Sequence, residues 1–206
     1  MPAGVHPLPV EGGREARVYV PPGLAADRPV PLVLTLHGAG GDARGGLDFI
    51  QRVAEERRLI LLAPASGGST WDAVRGDYGR DVERVDEALA RTFAMLPVRP
   101  EAVAVAGFSD GASYALGLGL GNGELFGSVL AFSPGFVPRP DHQGKPRVFV
   151  SHGVADDVLP IDRTSRRIVP ELRREGHDVR YEEFPDGHTV PPELARQAVD
   201  WWAPEL

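Results

Sequence analysis

Short, nearly continuous apolar segments alternate along this chain with helix-like segments. Runs rich in Val, Ile, Leu and Phe are typical of strands that are buried on both faces of a sheet. They predict seven strands, near Arg14–Val20, Pro31–His37, Arg58–Ala63, Ala102–Phe108, Gly127–Phe132, Arg147–His152 and Asp178–Phe184.

Helices are predicted between these strands, near Arg44–Arg57, Asp81–Leu96, Gly111–Leu120, Asp162–Glu175 and Pro192–Trp202. Asp162 is expected to cap the start of its helix and Gly176 to end it. Pro97 and Pro100 are expected to close the long helix before them. Strands that alternate with helices predict an α/β fold, here one domain over residues 1–206 with a mostly parallel sheet of about seven strands.

Composition and charge narrow the possible classes of protein. The hydrophobic share of 42% and the charged share of 25% are close to those of soluble globular proteins. A net charge of −7 disfavours nucleic acid as a partner. No apolar run is long enough to cross a membrane, and residues 1–14 lack the layout of a signal peptide, so we expect no membrane insertion and a cytoplasmic location. Because the chain has no cysteine, thiolate catalysis and zinc–thiolate sites are excluded.

A Gly-x-Ser-x-Gly sequence follows the predicted strand Ala102–Phe108, with Ser109 at its centre. A sharp turn from strand to helix lifts a serine hydroxyl clear of the sheet, and the flanking glycines avoid collisions in the tight bend. The helix after Ser109 points its positive end at the position where an oxyanion would form. The alternative is that Ser109 only caps a helix. The preceding strand and the partners described next favour a nucleophile.

An acid and then a histidine are expected after the serine in this architecture. One loop at the end of a strand carries Asp156 and Asp157, and a later one carries His188. Open parallel sheets collect functional groups at the carboxyl ends of their strands. His188 is predicted to take the proton of Ser109 while the acid orients the other ring nitrogen. Asp156 is favoured over Asp157 as the acid, and loop capping is the alternative for either.

A glycine-dense loop over residues His37–Asp42 follows the predicted strand that ends at His37. A tetrahedral oxyanion needs two rigid N–H donors, and we assign them to the backbone N–H groups of Ala39 and Asp110. His37 is expected to lock this loop by side-chain hydrogen bonds rather than to act as the base. The spacing of the glycines matches no nucleotide-binding motif.

The remaining histidines are interpreted as terminal, loop or helix-end residues: His6, His142, His152 and His177. They do not match a metal-ligand pattern, so we expect no metal. Trp201 and Trp202 are interpreted as helix packing. The proline-rich stretch Pro134–Pro146 predicts an exposed loop.

Three motifs in order resemble the phospholipase/carboxylesterase family of α/β-hydrolases, small bacterial esterases related to acyl-protein thioesterases. The matching segments are the oxyanion loop Leu36–Asp42, the nucleophile elbow Gly107–Ala112, and the acid and base loops His152–Asp156 and Gly187–His188. In the family pattern the acid is the Asp two residues after a His-Gly-x sequence, so the resemblance implies Asp156. The similarity extends from about Arg14 to Trp202.

The sequence departs from the family at two places that affect substrate choice. Asp110 stands where many relatives carry Gln, and the stretch Ala65–Asp86 keeps only Trp71 and Asp72 of a longer family segment. Trp71 is a candidate to line the acyl site, with simple packing as the alternative.

Between Ser109 and Asp156 the chain has room for one helix, two strands and a loop but not for a cap domain, so an open site is expected. The sequence thus predicts a lidless carboxylesterase that acts on small to medium acyl esters through an acyl-enzyme on Ser109, without a cofactor. Thioesterase, serine peptidase, polyester depolymerase or feruloyl esterase activity on the same residues are alternatives. A non-catalytic binding protein is another, because a fold does not imply an activity.

Overall fold

The structure is a computed structural model that describes residues 1–12, 14–138 and 142–203. The strands in these ranges are β1 Gly4–Leu8, β2 Ala16–Val20, β3 Val30–Leu36, β4 Ile60–Ala63, β5 Val98–Phe108, β6 Ser128–Phe132, β7 Arg147–Gly153 and β8 Val179–Phe184. The helices are α1 Ala43–Asp48, α2 Gln51–Arg57, α3 Asp72–Arg75, α4 Arg80–Met95, α5 Asp110–Gly121, α6 Ser165–Arg174 and α7 Pro192–Trp202, with a 3-10 turn at Ile161–Arg163.

The strands form one sheet in the order β1-β2-β4-β3-β5-β6-β7-β8. β2 pairs antiparallel with β1 and β4, and all other pairs are parallel. The inner parallel strands β3, β4 and β6 are buried and mostly apolar because helices cover both faces of the sheet. The predicted α/β-hydrolase fold with a mostly parallel sheet is therefore confirmed.

Two hydrophobic clusters lie on opposite faces of the sheet. One contains buried side chains of α3, α4, α5 and α6, and the other those of α1, α2 and α7. Trp201 and Trp202 pack against the second cluster from α7, which confirms their interpretation as packing residues. Such two-sided coverage is what makes long apolar strands stable in water.

The structure differs from the sequence prediction mainly at the sheet edge and at element ends. β1 was not predicted, because Gly4–Leu8 lies at the edge of the sheet and alternates between half-buried and exposed positions, with Leu8 its one buried residue. The predicted first helix is two helices, interrupted at Phe49 and Ile50, where the buried Ile50 has a non-helical φ of −133°. Pro100 does not close a helix, because it lies inside β5.

The helix predicted from Asp162 begins later than expected. Asp162 lies in the 3-10 turn, and α6 starts at Ser165. The carboxylate of Asp162 accepts a hydrogen bond from Arg166 and therefore does not cap the helix. Gly176 does follow the end of α6, with a φ of +83° that favours glycine.

The parallel strands direct their following loops to one edge of the sheet, called here the carboxyl edge. The described residues between Ser109 and Asp156 form α5, β6, β7 and loops, without a cap domain. Of the predicted exposed loop Pro134–Pro146, residues 139–141 lie outside the described residues, and the described remainder has no helix or strand. No helix in the described part of the chain is long and apolar enough to span a membrane.

Candidate active site

Ser109 occupies the turn between β5 and α5 in a strained backbone conformation. Its φ of +58° and ψ of −122° are unusual for a residue with a side chain, and such strain concentrates at functional sites. A methyl group at Gly107 would collide with the carbonyl of Gly111, and one at Gly111 would collide with the carbonyl of Leu36. Both glycines of the motif are therefore required by close backbone approach. The Ser109 N–H donates to the carbonyl of Phe132, 2.9 Å away, which ties the turn to β6.

The side chains of Ser109, His188 and Asp156 form a continuous row of short contacts. His188 Nε2 lies 2.9 Å from Ser109 Oγ, and His188 Nδ1 lies 2.6 Å from Asp156 Oδ2. A carboxylate only accepts hydrogen bonds, so Nδ1 donates to Asp156, and Nε2 of the neutral ring is free to accept from the serine hydroxyl. The row runs from a buried carboxylate to a serine that is 8% exposed. This arrangement can move a proton from a hydroxyl to an imidazole.

The loop after β7 holds Asp156 from two directions. Asp156 Oδ1 accepts the backbone N–H groups of Val158 and Leu159 at 3.0 and 2.7 Å. Burial opposes ionisation, but the hydrogen bonds from Leu159 and His188 outweigh it and hold the pKa of Asp156 below its ordinary value. The neighbouring Asp157 is exposed. Of the two candidate acids, the structure brings Asp156 to His188.

A second histidine, His152, contacts the same carboxylate oxygen. Its Nε2 lies 3.1 Å from Asp156 Oδ2 and 2.8 Å from the carbonyl of Leu159, while Nδ1 lies 2.7 Å from Ser165 Oγ. Burial lowers the pKa of His152, so its neutral form donates from Nε2 and accepts the Ser165 hydroxyl at Nδ1. His152 was interpreted from the sequence as a structural loop residue. Its place in the His-Gly-x motif was the signal that could have linked it to Asp156.

The loop after β3 lies against the serine. A methyl group at Gly38 would lie 3.3 Å from Ser109 Cβ. His37 locks the loop, because Nδ1 donates to the Gly38 carbonyl at 2.7 Å and Nε2 accepts the Ser66 N–H at 3.0 Å. Burial lowers the pKa of His37, which keeps this ring neutral. Its geometry matches the locking role expected from the sequence.

Ala39 and Asp110 are the predicted oxyanion donors. Ala39 is exposed, and Asp110 opens α5 directly after Ser109. Neither backbone N–H donates to an acceptor within the described residues. The Asp110 carboxylate accepts the Thr70 hydroxyl at 2.6 Å, a partner that the sequence did not indicate.

Trp71 does not offer a surface for an acyl group, which corrects the sequence expectation in favour of packing. It is 1% exposed and stacks on Tyr114 with ring centroids 5.0 Å apart. Its indole N–H donates to the His37 carbonyl at 2.9 Å. Trp71 therefore supports the loop that carries Ala39 through its hydrogen bond to the His37 carbonyl.

Groups that could hold a metal ion lie elsewhere. Among the described residues, His142, Glu175 and His177 form a group of potential ligands whose ligand atoms all lie within 4.8 Å of one another. They precede β7 and β8, at the opposite edge of the sheet from Ser109.

Comparisons with known proteins place the chain among esterases. Residues 10–172 match the model of the Esterase family. "Probable feruloyl esterase C" of Aspergillus niger is 27% identical over 167 residues, which cover 77% of this chain and 60% of that protein. The chain thus spans about 60% of the length of the first curated relatives that it matches.

Solved structures share the fold over nearly the whole chain. The serine hydrolase FphF of Staphylococcus aureus has a TM-score of 0.79 at 16% identity, covering 98% of this chain and 99% of its own. A phospholipase/carboxylesterase of Dyadobacter fermentans has a TM-score of 0.68 at 24% identity, covering 89% and 93%. The resemblance drawn from the three sequence motifs is confirmed at the level of family and fold.

Proposed function

The chain belongs to the Esterase family, and from that premise we propose that it is a serine esterase that cleaves small to medium acyl esters through an acyl-enzyme on Ser109. The observation that supports this most strongly is the row of contacts from Ser109 Oγ through His188 to Asp156. The strained turn at Ser109 provides independent support, as do the backbone N–H groups of Ala39 and Asp110, which have no acceptor among the described residues.

In the first half of the reaction, Ser109 Oγ attacks the ester carbonyl carbon while His188 Nε2 takes its proton. Asp156 stabilises the imidazolium that forms, through its contact with Nδ1. The carbonyl oxygen becomes an oxyanion and receives hydrogen bonds from the N–H groups of Ala39 and Asp110. His188 then protonates the alcohol oxygen, which leaves as the ester bond breaks. The acyl group remains on Ser109.

Water completes the cycle by the same groups. His188 takes a proton from water as its oxygen attacks the acyl-enzyme carbonyl, and it returns that proton to Ser109 Oγ as the carboxylic acid leaves. Every proton that leaves the serine or the water passes through His188, so the cycle uses only ester, water and these side chains.

The surface at the carboxyl edge favours an apolar or aromatic acyl group. Phe136 and Val158 are 39% and 61% exposed on the loops that follow β6 and β7. Phe136 also forms part of the wall of a cavity of about 410 Å³ between α3 and the segment after β6. A relative named as a feruloyl esterase fits this preference. Feruloyl-type esters are therefore the first candidates within the proposed class.

A panel of substrates tests the proposal. p-Nitrophenyl acetate, p-nitrophenyl butyrate, methyl ferulate, an acyl-thioester and an aminoacyl anilide should be compared under identical conditions. We expect turnover of the oxygen esters to exceed that of the thioester and the anilide, and Ser109→Ala to abolish it. Ser69→Ala is the matched control, since Ser69 is an exposed serine near the same loops. Faster turnover of the thioester or anilide would replace the esterase assignment by thioesterase or peptidase.

A further inference from the structure

Three potential ligands meet at the end of the sheet where β7 and β8 begin. His142 belongs to the segment before β7, while Glu175 and His177 flank Gly176 in the turn from α6 to β8. Their ligand atoms all lie within 4.8 Å of one another. His142 Nδ1 is 3.2 Å from Glu175 Oε2. The two segments are far apart in the sequence, so the fold alone brings these groups together.

His177 Nε2 is a buried ring nitrogen that has a lone pair but no bonding partner among the described residues. The ring is 5% exposed, and Nδ1 lies 3.1 Å from the Pro146 carbonyl. A carbonyl only accepts, so Nδ1 carries the hydrogen, and Nε2 of the neutral ring carries a lone pair. Nε2 is buried without a hydrogen-bond partner in the described part of the protein. Leaving a buried acceptor unpaired costs free energy, so a hydrogen-bond donor or a metal ion bound at this nitrogen would stabilise the folded protein.

We propose that His142, Glu175 and His177 bind a divalent transition metal ion, with Zn²⁺ as the best-fitting ion and water as its fourth ligand. Two imidazoles and a carboxylate are a common ligand set for zinc. A histidine that binds a metal usually donates its other ring N–H to a carbonyl or carboxylate, as His177 does to Pro146. This proposed metal site is separate from the site at Ser109, because it has different side chains and lies at the opposite edge of the sheet.

The geometry needs only a small adjustment. Zinc–nitrogen and zinc–oxygen distances near 2 Å in a tetrahedron separate neighbouring ligand atoms by about 3.4 Å. The contact between His142 and Glu175 already matches this at 3.2 Å. The remaining separations, at most 4.8 Å, close by side-chain rotation, because His142 and Glu175 are exposed.

One nearby cation opposes a metal ion. Lys145 donates from Nζ to the backbone carbonyl of Glu175 at 2.6 Å and is exposed. Solvent screens its charge. Among the arginines near the site in sequence, Arg147 pairs with Asp178 and Arg174 pairs with Glu171. Arg173 donates to the backbone carbonyl of Val179. The Glu175 carboxylate therefore remains the group whose charge faces His142 at close range.

A bound ion would connect the segment before β7 to the turn before β8. It would stabilise the folded state, since the unfolded chain does not hold the three ligands together. Six residue steps along β7, about 20 Å, separate this edge from the carboxyl edge. Metal binding should therefore change stability and leave ester turnover unaltered, and this separates the test from that of the proposed esterase.

The test uses the full chain freed of metal with a chelator and then titrated with Zn²⁺. Calorimetry should give one Zn²⁺ per chain. At one hundred times the Kd, the Tm should rise by about 5 to 10 °C. Co²⁺ in place of Zn²⁺ should give the strong visible bands of a four-coordinate site.

Variants identify the ligands. His142→Ala and Glu175→Gln change exposed side chains, so both should fold and should lose the Zn²⁺-dependent rise in Tm. His6→Ala and Glu171→Gln are the matched controls, a half-buried histidine of β1 and an exposed glutamate of α6, and should keep it. The proposal is overturned if the native chain binds no Zn²⁺, if His142→Ala binds it as well as the native chain does, or if His6→Ala abolishes binding.

Discussion

His188 and His152 contact the same oxygen of Asp156 but stand in different surroundings. His188 follows β8, its side chain is 13% exposed, and its second nitrogen meets Ser109 Oγ. His152 lies inside β7, its side chain is fully buried, and its second nitrogen meets Ser165 Oγ. The two imidazole rings thus share one carboxylate partner but have different second partners.

The difference shows that the second nitrogen decides what a histidine can do. His188 can accept a proton from Ser109 and return it to a leaving group, because its ring reaches the open edge of the sheet. The buried ring of His152 is enclosed by Ser165, Asp156 and the carbonyl of Leu159, so it cannot transfer a proton to a substrate. We therefore regard His188 as the base and His152 as a positioning residue for Asp156.

The largest effect should follow from removing the base. His188→Ala leaves Ser109 without a proton acceptor, and we expect kcat for p-nitrophenyl esters to fall by about 10⁴-fold or more. Because the His188 side chain is partly exposed, the far-ultraviolet circular dichroism spectrum should match that of the native chain. Retention of more than a tenth of the native kcat would remove His188 from the mechanism.

Loss of the shared carboxylate should come next. Asp156→Asn cannot stabilise the imidazolium of His188, so kcat should fall by about 10³ to 10⁴-fold. Asp157→Asn is the matched control on the adjacent exposed position and should change kcat less than about twofold. Equal losses in the two variants would contradict the assignment of Asp156.

The positioning role of His152 predicts an intermediate effect. His152→Gln keeps a polar group of similar length but weakens the contact with Asp156, and a hydrogen bond to a charged group contributes about 1.5 to 3 kcal/mol. We expect kcat to fall about tenfold with little change in KM, because His152 does not face the open edge. A rise in KM at unchanged kcat would argue for a role in binding instead.

The smallest effect concerns the dependence of stability on pH. Burial lowers the pKa of His152 from its ordinary value of 6.5, so below pH 6.5 the unfolded chain binds a proton that the folded chain does not. The free energy of unfolding should therefore fall as the pH drops from 6.5 towards 5, by at most about 1.4 kcal/mol per pH unit for this group. Urea unfolding at several pH values measures the slope.

The buried His37 adds a second contribution of the same sign, because burial also lowers its pKa. His152→Gln should therefore reduce the slope without abolishing it. An identical slope in the native chain and the variant would show that folding does not lower the pKa of His152.

Local chemistry explains which parts of this structure were predictable from the sequence. The turn at Ser109 was predictable because glycines are required on both sides of it and an apolar strand precedes it. Strand β1 was not, because its edge position removes the continuous apolar pattern that marks the inner strands.

Contacts between distant segments carry no signal in a single sequence. The contact between His152 and Asp156 is local, but the motif that contains both residues gives their order and not the direction of their side chains. The burial of Trp71 depends on Tyr114, 43 positions away in the numbering, and on the His37 carbonyl. His142 and His177 meet only because β7 and β8 begin side by side.

Covalent labelling of Ser109 tests the central claim most directly. The native chain and Ser109→Ala should be treated with a fluorophosphonate, and their intact masses measured alongside hydrolysis of p-nitrophenyl butyrate. We predict one phosphonyl group on the native chain with loss of its hydrolysis, and neither label nor hydrolysis for Ser109→Ala. Equal labelling and hydrolysis in both chains, or a native chain that neither reacts nor hydrolyses the ester, would contradict the account.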